Sequence, residues 1–482
     1  VSRFAPRLIR RLIPGAALAC LCAAAAAQSE LPPAVLAALA VAGVPPSAVA
    51  AVVQEVDAPR PSLRVNADAP LNPASVMKLV TTFAALELLG PAYRWKTEVY
   101  TAGTLADGAL SGHLILKGYG DPKLTLESFW LLLRNVQARG VRELRGDLVL
   151  DRSHFAAGSH DPGRFDAEPL RPYNVGPDAL LVNFKSVRFQ FVPEPETKSV
   201  RVLAEPRPRA LEVASAVKLS NGPCGDWRAK LRPEFAPAGP AGAVLRASFA
   251  GTYAESCGER AWHVALFGHR QYVAETFRLL WEELGGRWTG SVHDGVTPGE
   301  ARILHTHESE TLSEIVRDMN KFSNNVMARQ LYLTLGAESA GAPARPETAL
   351  QAVRTALARH GLDFPELVIE NGSGLSRIER ISAASLARLL LAAYRSPTMP
   401  EFVASLPLVA VDGTLRRRMN GEALAGRAHV KSGTLADVRA VAGYVLDRAG
   451  RRQAAVMIVN HPNAPAAQGA LDALLGWAYE GR

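Results

Sequence analysis

Cysteine is scarce in this chain: there are four, with Cys20 and Cys22 near the start and only Cys224 and Cys257 beyond them. Neither of the later two has a Cys-x-x-Cys partner, which argues against a redox dithiol or a cysteine-based zinc framework. Strong charge of one sign is missing as well. The first 27 residues carry four of the 54 basic residues and none of the 46 acidic ones, leaving 50 against 46, a net charge of +4. That is too mild for a nucleic-acid-binding surface. It is compatible with work near an anionic polymer without arguing for it. Beyond the first 27 residues no segment approaches the roughly 18 uninterrupted apolar residues of a membrane helix, so no stable membrane span is expected. What is present is bulk. About half of the 482 residues are apolar, enough to bury a large core in more than one domain and to speak against disorder.

The start of the chain differs in kind. Arg3, Arg7, Arg10 and Arg11 precede an apolar run from Ile13 to Ala27 that ends in small residues, the pattern of a secretory signal peptide over residues 1–27. A lipoprotein reading through Cys20 is the alternative, and Ala17-Leu18-Ala19 is a poor context for it. Export to the periplasm is therefore expected. In an exported chain an even pair of cysteines favours a Cys224–Cys257 disulfide, with two buried free thiols as the alternative. Closing that loop would contribute roughly 3 to 4 kcal/mol in the chain-entropy view.

Helical spacing over Pro32 to Ala42 is followed by strand-like runs at Ala48 to Val56 and Ser62 to Val65, joined by a turn at Asp57-Ala58-Pro59-Arg60. Val76 to Leu89 is almost wholly apolar or helix-favouring and stops at Gly90-Pro91, which predicts a buried helix with Ser75 in its first turn. From about Trp95 to about Val296, short alternating segments with frequent Gly and Pro predict a β-rich insertion. Leu114-Ile115-Leu116 and Val187-Arg188-Phe189-Gln190-Phe191 are examples, and one helical stretch runs from Gln271 to Leu284. Helical patterning returns with a capping box at Thr311-Leu312-Ser313-Glu314 and a helix from Asn325 to Leu335. Strands are expected at Ala428 to Val430, Arg439 to Leu446 and Gln453 to Asn460, then a last helix from Ala464 to Tyr479. The fold class is α+β, helices on an antiparallel sheet with large β-rich inserted domains. The expected division is 28–95 plus 297–482 for the catalytic domain, 96–165 plus 262–296 for an inserted domain, and 166–261 for a β-rich domain nested within it.

Three short polar motifs stand far apart along the chain. Ser75-Val76-Met77-Lys78 puts a hydroxyl and an amine three residues apart, on one face of a helix. Serine is a poor nucleophile at neutral pH, and a desolvated amine beside it can take its proton. The helix terminus also favours developing negative charge on the serine oxygen. Ser323-Asn324-Asn325 falls at a helix junction, where a side chain can be aimed into a cleft, and Lys431-Ser432-Gly433 follows strand-like sequence. Singly, none is specific. Ser215-Ala216-Val217-Lys218 repeats the first pattern, but in strand-like sequence followed by Asn221-Gly222-Pro223. It lacks the helix that would align its two side chains and is a decoy.

Order and context carry the meaning. A helix-borne Ser-x-x-Lys, then a loop-borne Ser-x-Asn, then Lys-Ser/Thr-Gly on a strand is the motif set of penicillin-binding proteins and serine β-lactamases, and this sequence resembles the penicillin-recognising serine peptidases. The first two motifs lie 248 residues apart, far more than a β-lactamase needs, and the excess matches the β-rich insertion. Further matches are Gly118-Tyr119-Gly120-Asp121-Pro122, Pro172-Tyr173-Asn174-Val175-Gly176-Pro177, Asn371-Gly372-Ser373-Gly374-Leu375-Ser376-Arg377 and Asp412-Gly413-Thr414-Leu415. From Asn72 to its end the chain is similar to the class C low-molecular-mass penicillin-binding proteins, the D-alanyl-D-alanine carboxypeptidase/endopeptidases called peptidase family S13.

The resemblance implies an acyl-enzyme on Ser75, with Lys78 as the base and Ser323 relaying a proton to the leaving amine. It implies an oxyanion site of the Ser75 and Thr434 backbone N–H groups. Lys431, with the hydroxyls of Ser432 and Thr434, would hold the substrate's terminal carboxylate, and Asn325 would bond its backbone. Gly433 would keep the strand open to close approach. It further implies recognition of the free end of a diaminopimelate side chain by Asp151 and Arg377, with Leu375 beside them. The implied partners are peptidoglycan stem peptides, and β-lactam antibiotics as acylating inhibitors; no cofactor and no metal is expected. Ser432 replaces the commoner threonine and keeps its hydroxyl. Ala436 stands where some relatives carry a polar contact.

Two rivals remain in view, a serine β-lactamase and a catalytically idle cell-wall-binding protein. Class A β-lactamases use a glutamate downstream of Ser-x-Asn, and the residues around Arg359-His360-Gly361 offer none. Retention of every proposed reactive side chain argues against the idle protein. His305-Thr306-His307 alternates as in a strand with no third ligand nearby, and Gly118-Tyr119-Gly120 lacks the third glycine of a dinucleotide fingerprint.

Overall fold

Residues 453–459, Gln-Ala-Ala-Val-Met-Ile-Val, form an almost wholly apolar run without polar alternation, a pattern that needs cover on both faces. A computed structural model, describing residues 1–2, 30–158, 160–240 and 243–481, supplies that cover. Strand Arg452–Asn460 is the centre of a five-stranded antiparallel sheet ordered 428–435, 438–446, 452–460, 49–55, 63–65. Alternation along the strand then feeds two separate cores. Ala454, Val456 and Ile458 pack with helices Lys78–Leu89, Leu312–Lys321, Asn325–Ala340, Pro346–Arg359 and Ala383–Arg395. Ala455, Met457 and Val459 pack with helices Pro33–Ala42 and Gln468–Glu480. This is the expected α+β arrangement of helices on an antiparallel sheet.

Local signals in the sequence account for most element ends. The Glu314 carboxylate accepts from the Thr311 N–H at 2.8 Å, closing the capping box. Asn324 caps the next helix, its Oδ1 accepting from Val326 N at 3.0 Å and Met327 N at 3.1 Å. Ser75 lies in a 3₁₀ turn, Ala74–Met77, that runs directly into helix Lys78–Leu89.

Residues 96–308 add two further sheets. One is seven-stranded, with strands 96–106 and 109–118 at its centre and 143–144, 148–151, 287–288, 292–294 and 302–308 around them. The other has six strands, ordered 231–238, 244–254, 211–220, 199–205, 187–194, 260–264. Cys224 and Cys257 are bonded to each other beside it. Two boundaries of the sequence division shift. Strand Arg302–Glu308 pairs with Lys96–Ala106, so residues after 296 are still held by the inserted sheet. Strand Arg260–Val264 pairs with Val187–Glu194, so 262–264 belong to the nested sheet. Alternation in a strand reveals its faces but not its neighbour, which is why pairing was needed to place them.

The signal-peptide reading, Arg3 to Ala27, lies outside the described residues. Among the described residues no helix is long and apolar enough to cross a membrane.

Candidate active site

Burial of the first turn of helix Lys78–Leu89 sets the chemistry. Lys78 has no exposed surface, and its amine makes three contacts: Asn325 Oδ1 at 2.6 Å, the Ser373 carbonyl at 2.5 Å and Ser75 Oγ at 3.1 Å. Its pKa lies well below the ordinary lysine value, first because burial penalises the cation and then because Lys431 is close; Glu379 works the other way. A neutral amine has two N–H bonds and one lone pair. With the two carbonyl oxygens taking those N–H bonds, the lone pair of the neutral form would face the Ser75 hydroxyl.

The second and third motifs meet each other as well as the first. Lys431, also without exposed surface, donates to Ser323 Oγ at 2.9 Å and to the Ser432 carbonyl at 2.8 Å. Burial lowers its pKa to about 7. Strand 428–435 runs hard against the turn before Ser75, because a Cβ on Gly433 would stand 2.4 Å from the Pro73 carbonyl oxygen. Gly433 is therefore a steric necessity, and Thr434 follows it on the exposed edge of the same approach. Ser432 Oγ lies 3.4 Å from Thr414 Oγ1, and the neighbouring Asp412 receives a hydrogen bond from Lys321 at 2.6 Å. The Asp412-Gly413-Thr414 turn thus ties the second motif's helix to the third motif's strand.

Backbone strain marks the same place. Ala74 at φ 47° and Ser323 at φ 55° are both in the left-handed region that side chains avoid. Asn72 and Asn460 hold the first of these. Asn72 Oδ1 accepts from Ala74 N at 2.9 Å, and the Asn460 side-chain amide accepts from Asn72 N at 2.8 Å and donates to the Asn72 carbonyl at 2.9 Å.

Sequence reasoning missed the support behind Lys78. Glu379 is fully buried, and one carboxylate oxygen accepts the N–H groups of Glu370, Asn371 and Gly372 at 2.9 to 3.1 Å. Burial raises its pKa, against those three bonds and the attraction of Lys78. The clamped loop is the one that presents the Ser373 carbonyl to Lys78. Arg329, almost fully buried, donates to the carbonyls of Tyr173 and Val175 at 3.0 and 2.8 Å and pins the Pro172–Pro177 segment to helix Asn325–Ala340. The signal for Glu379 was an acidic residue two past the Asn371–Arg377 motif, too common to single out.

The decoy behaves as expected. Ser215 sits on strand 211–220 and donates to the Val200 carbonyl at 2.6 Å. Asp151 is a correction. It is fully buried, and its two oxygens accept from Ser153 N and Oγ and from Thr297 N and Oγ1 at 2.6 to 3.1 Å. Burial alone would raise its pKa, and those bonds outweigh it, holding the carboxyl below its ordinary value. Its bonding capacity is spent on local structure. Arg377 and Leu375 instead line a cavity of about 520 Å³ whose acidic wall is Asp161 and Glu370. There the Arg377 guanidinium stacks 4.4 Å over Phe165 and lies 3.4 Å from Asp437.

A serine hydroxyl 3.1 Å from a fully buried lysine amine, with a second serine held by a second buried lysine, is the arrangement of the active-site-serine acyltransferases of the penicillin-interacting class. The particular family follows from comparison with known proteins. The sequence pattern of the D-Ala-D-Ala carboxypeptidase 3 (S13) family matches residues 33–480, and the chain belongs to that family. It is 32% identical over 408 residues to a D-alanyl-D-alanine carboxypeptidase of Actinomadura sp. (strain R39), covering 81% of this chain and 73% of that one. It is 24% identical to the D-alanyl-D-alanine carboxypeptidase DacB of Haemophilus influenzae, covering 80% of each. The crystal structure of penicillin binding protein 4 (dacB) from Haemophilus influenzae superposes with a TM-score of 0.73 at 22% identity, over 89% of this chain and 96% of that one, and shows the fold to be shared. The chain is accordingly a serine D,D-peptidase.

Proposed function

We propose that the chain trims peptidoglycan stem peptides by hydrolysing the D-Ala-D-Ala bond through an acyl-enzyme on Ser75, and that it also cuts D-Ala-diaminopimelate cross-links. The observation that carries this is the contact set of Lys78, which leaves its lone pair on the Ser75 hydroxyl. Ser75 Oγ attacks the carbonyl carbon as its proton passes to Lys78. The tetrahedral oxyanion is bound by the N–H groups of Ser75 and Thr434. Ser323, held by its bond from Lys431, relays to the departing amine, in net, the proton that Lys78 took up, so that Lys78 is neutral again and Lys431 stays charged as the C–N bond breaks. Water then adds to the ester as Lys78 takes its proton, and the C–O bond to Ser75 breaks as that proton is returned to Oγ.

Asn325 spends its Oδ1 on Lys78, so its Nδ2 is the atom free to donate to the substrate's backbone carbonyl. Lys431, with Ser432 and Thr434, takes the terminal carboxylate, and an approaching anion favours the charged form of a lysine whose pKa is near 7. The diaminopimelate end belongs in the cavity with Arg377, Leu375 and Asp161, where a carboxylate and an ammonium meet opposite charges. Export rests on the basic-then-apolar leader and the Cys224–Cys257 bridge; recovery of the protein only from cytoplasm in cell fractionation would overturn it.

The test is a penicillin adduct. Wild-type protein incubated with benzylpenicillin is expected to gain one penicilloyl group on the peptide carrying Ser75, seen by mass spectrometry and stable for many minutes. No adduct would sink the reading, and fast release of hydrolysed drug would move it to a β-lactamase. For the side-chain cavity, Arg377→Ala is expected to lower kcat/KM at least tenfold for peptides with a free diaminopimelate end and leave acetylated peptides unchanged. Equal loss on both would remove the cavity from substrate recognition.

A further inference from the structure

Strand pairing brings three distant residues to one face of the inserted seven-stranded sheet. Ile115 is paired with Val149 and Val149 with His293, so His113 and Asp147, each two residues earlier, share that face with His293. Glycines draw the three segments together beside them. A Cβ on Gly146 would stand 2.2 Å from the Gly112 carbonyl oxygen, and one on Gly290 would stand 2.0 Å from that of Gly146.

The donor atoms are oriented. Asp147 Oδ1 accepts from Ser291 N at 2.8 Å, which leaves Oδ2 toward the imidazoles. His293 Nε2 lies 3.7 Å and His113 Nδ1 3.9 Å from that oxygen, and the three ligand atoms lie within 4.8 Å of one another. His293 Nδ1 is 3.3 Å from the Asp294 carbonyl; donating there puts the lone pair on Nε2. His113 Nδ1 accepts from Asp147 N at 3.1 Å, so the nitrogen nearest Asp147 Oδ2 is the one that carries the lone pair. Among the described residues this is the one group of three such side chains with that geometry.

We propose that His113, Asp147 and His293 bind a divalent transition metal of the zinc class. Two imidazoles and a carboxylate are the donor set of such an ion, with water in the fourth position. Ligand distances of about 2.0–2.2 Å require donor separations near 3.4 Å, so separations within 4.8 Å must close by at most about 1.4 Å. His113 then exchanges the Asp147 N–H for the metal. The ion clasps the outgoing segments of the insertion, at 113 and 147, to its returning segment at 293, closing the loop that carries the nested six-stranded sheet. None of the three residues touches the Ser75 cluster, so the clasp is structural.

The experiment uses the full chain without an affinity tag, stripped with a chelator and titrated with zinc chloride by calorimetry. Wild type is expected to take up a single zinc ion, and His113→Ala/His293→Ala to bind it about 100-fold more weakly or not at all. Zinc should raise the thermal unfolding midpoint of the wild type only. The double variant should still be labelled by penicillin at Ser75, which shows that it is folded. No uptake by wild type, or equal uptake by the double variant, would overturn the proposal.

Discussion

Ser75→Ala is expected to give no penicilloyl adduct and to lower D-Ala release on the order of a million-fold, the scale of losing a nucleophile that acts as one unit with its base. Lys78→Met keeps the buried volume and removes the lone pair, and should slow acylation by about 10²–10⁴. The double variant should be no slower than Ser75→Ala alone, because the base has nothing left to activate. The pH profile carries the same logic. Lys78 works only when neutral, so acylation rises with pH through its depressed pKa and is already level where an ordinary lysine would begin to titrate. Lys431 attracts a carboxylate only when charged, so kcat/KM for anionic substrates falls above about pH 7, the value to which burial lowers it. The two amines interact, and the limbs belong to the pair. Stopped-flow acylation across pH is the measurement. A rising limb centred near the ordinary lysine pKa would show that Lys78 is not the desolvated base.

The site was legible in the sequence where its residues are read as types at fixed spacing. Ser75 and Lys78 share a helix turn by arithmetic alone, and order along the chain linked them to Ser323 and Lys431. The decoy at Ser215 was recognisable because a strand sends residues three apart to opposite faces. What stayed hidden depends on pairing in space. Nothing local distinguishes Glu379 from a surface glutamate until three backbone N–H groups are seen to converge on it. Asp151 was chosen because the resemblance implies an aspartate in the insertion, and only the fold shows its oxygens committed to Ser153 and Thr297. His113, Asp147 and His293 are invisible for the same reason: parallel pairing between segments up to 144 residues apart has no signature in either strand. The insertion's last strand, Arg302–Glu308, fell within the catalytic range of the sequence division because its antiparallel partner, Lys96–Ala106, lies about 200 residues earlier.

The support of Lys78 makes a glycine a sensitive position although it carries no reactive group. Gly374 has φ +79°, and a Cβ there would stand 1.9 Å from the Ala74 carbonyl oxygen and 2.7 Å from Ser75 N. These are backbone atoms of a turn already strained at Ala74 and locked by Asn72, so they cannot swing aside as a side chain would. Gly374→Ala must push the Ser373 carbonyl away from Lys78, or displace Ser75, or both. The expected result is a loss of about 2–5 kcal/mol of stability from the unfavourable φ and the overpacking together. Acylation should fall about 100-fold, since displacements near an ångström misalign reacting groups by that much. Gly361→Ala separates the two causes: its φ is +65°, yet no atom lies within 4 Å of the added carbon. That variant should lose only about 1–2 kcal/mol and acylate at the wild-type rate. Urea unfolding and penicillin acylation on both variants decide the matter. Were Gly374→Ala to match Gly361→Ala in both, contact between the Gly-Ser-Gly loop and the Ser75 turn would not be what positions the nucleophile against its base.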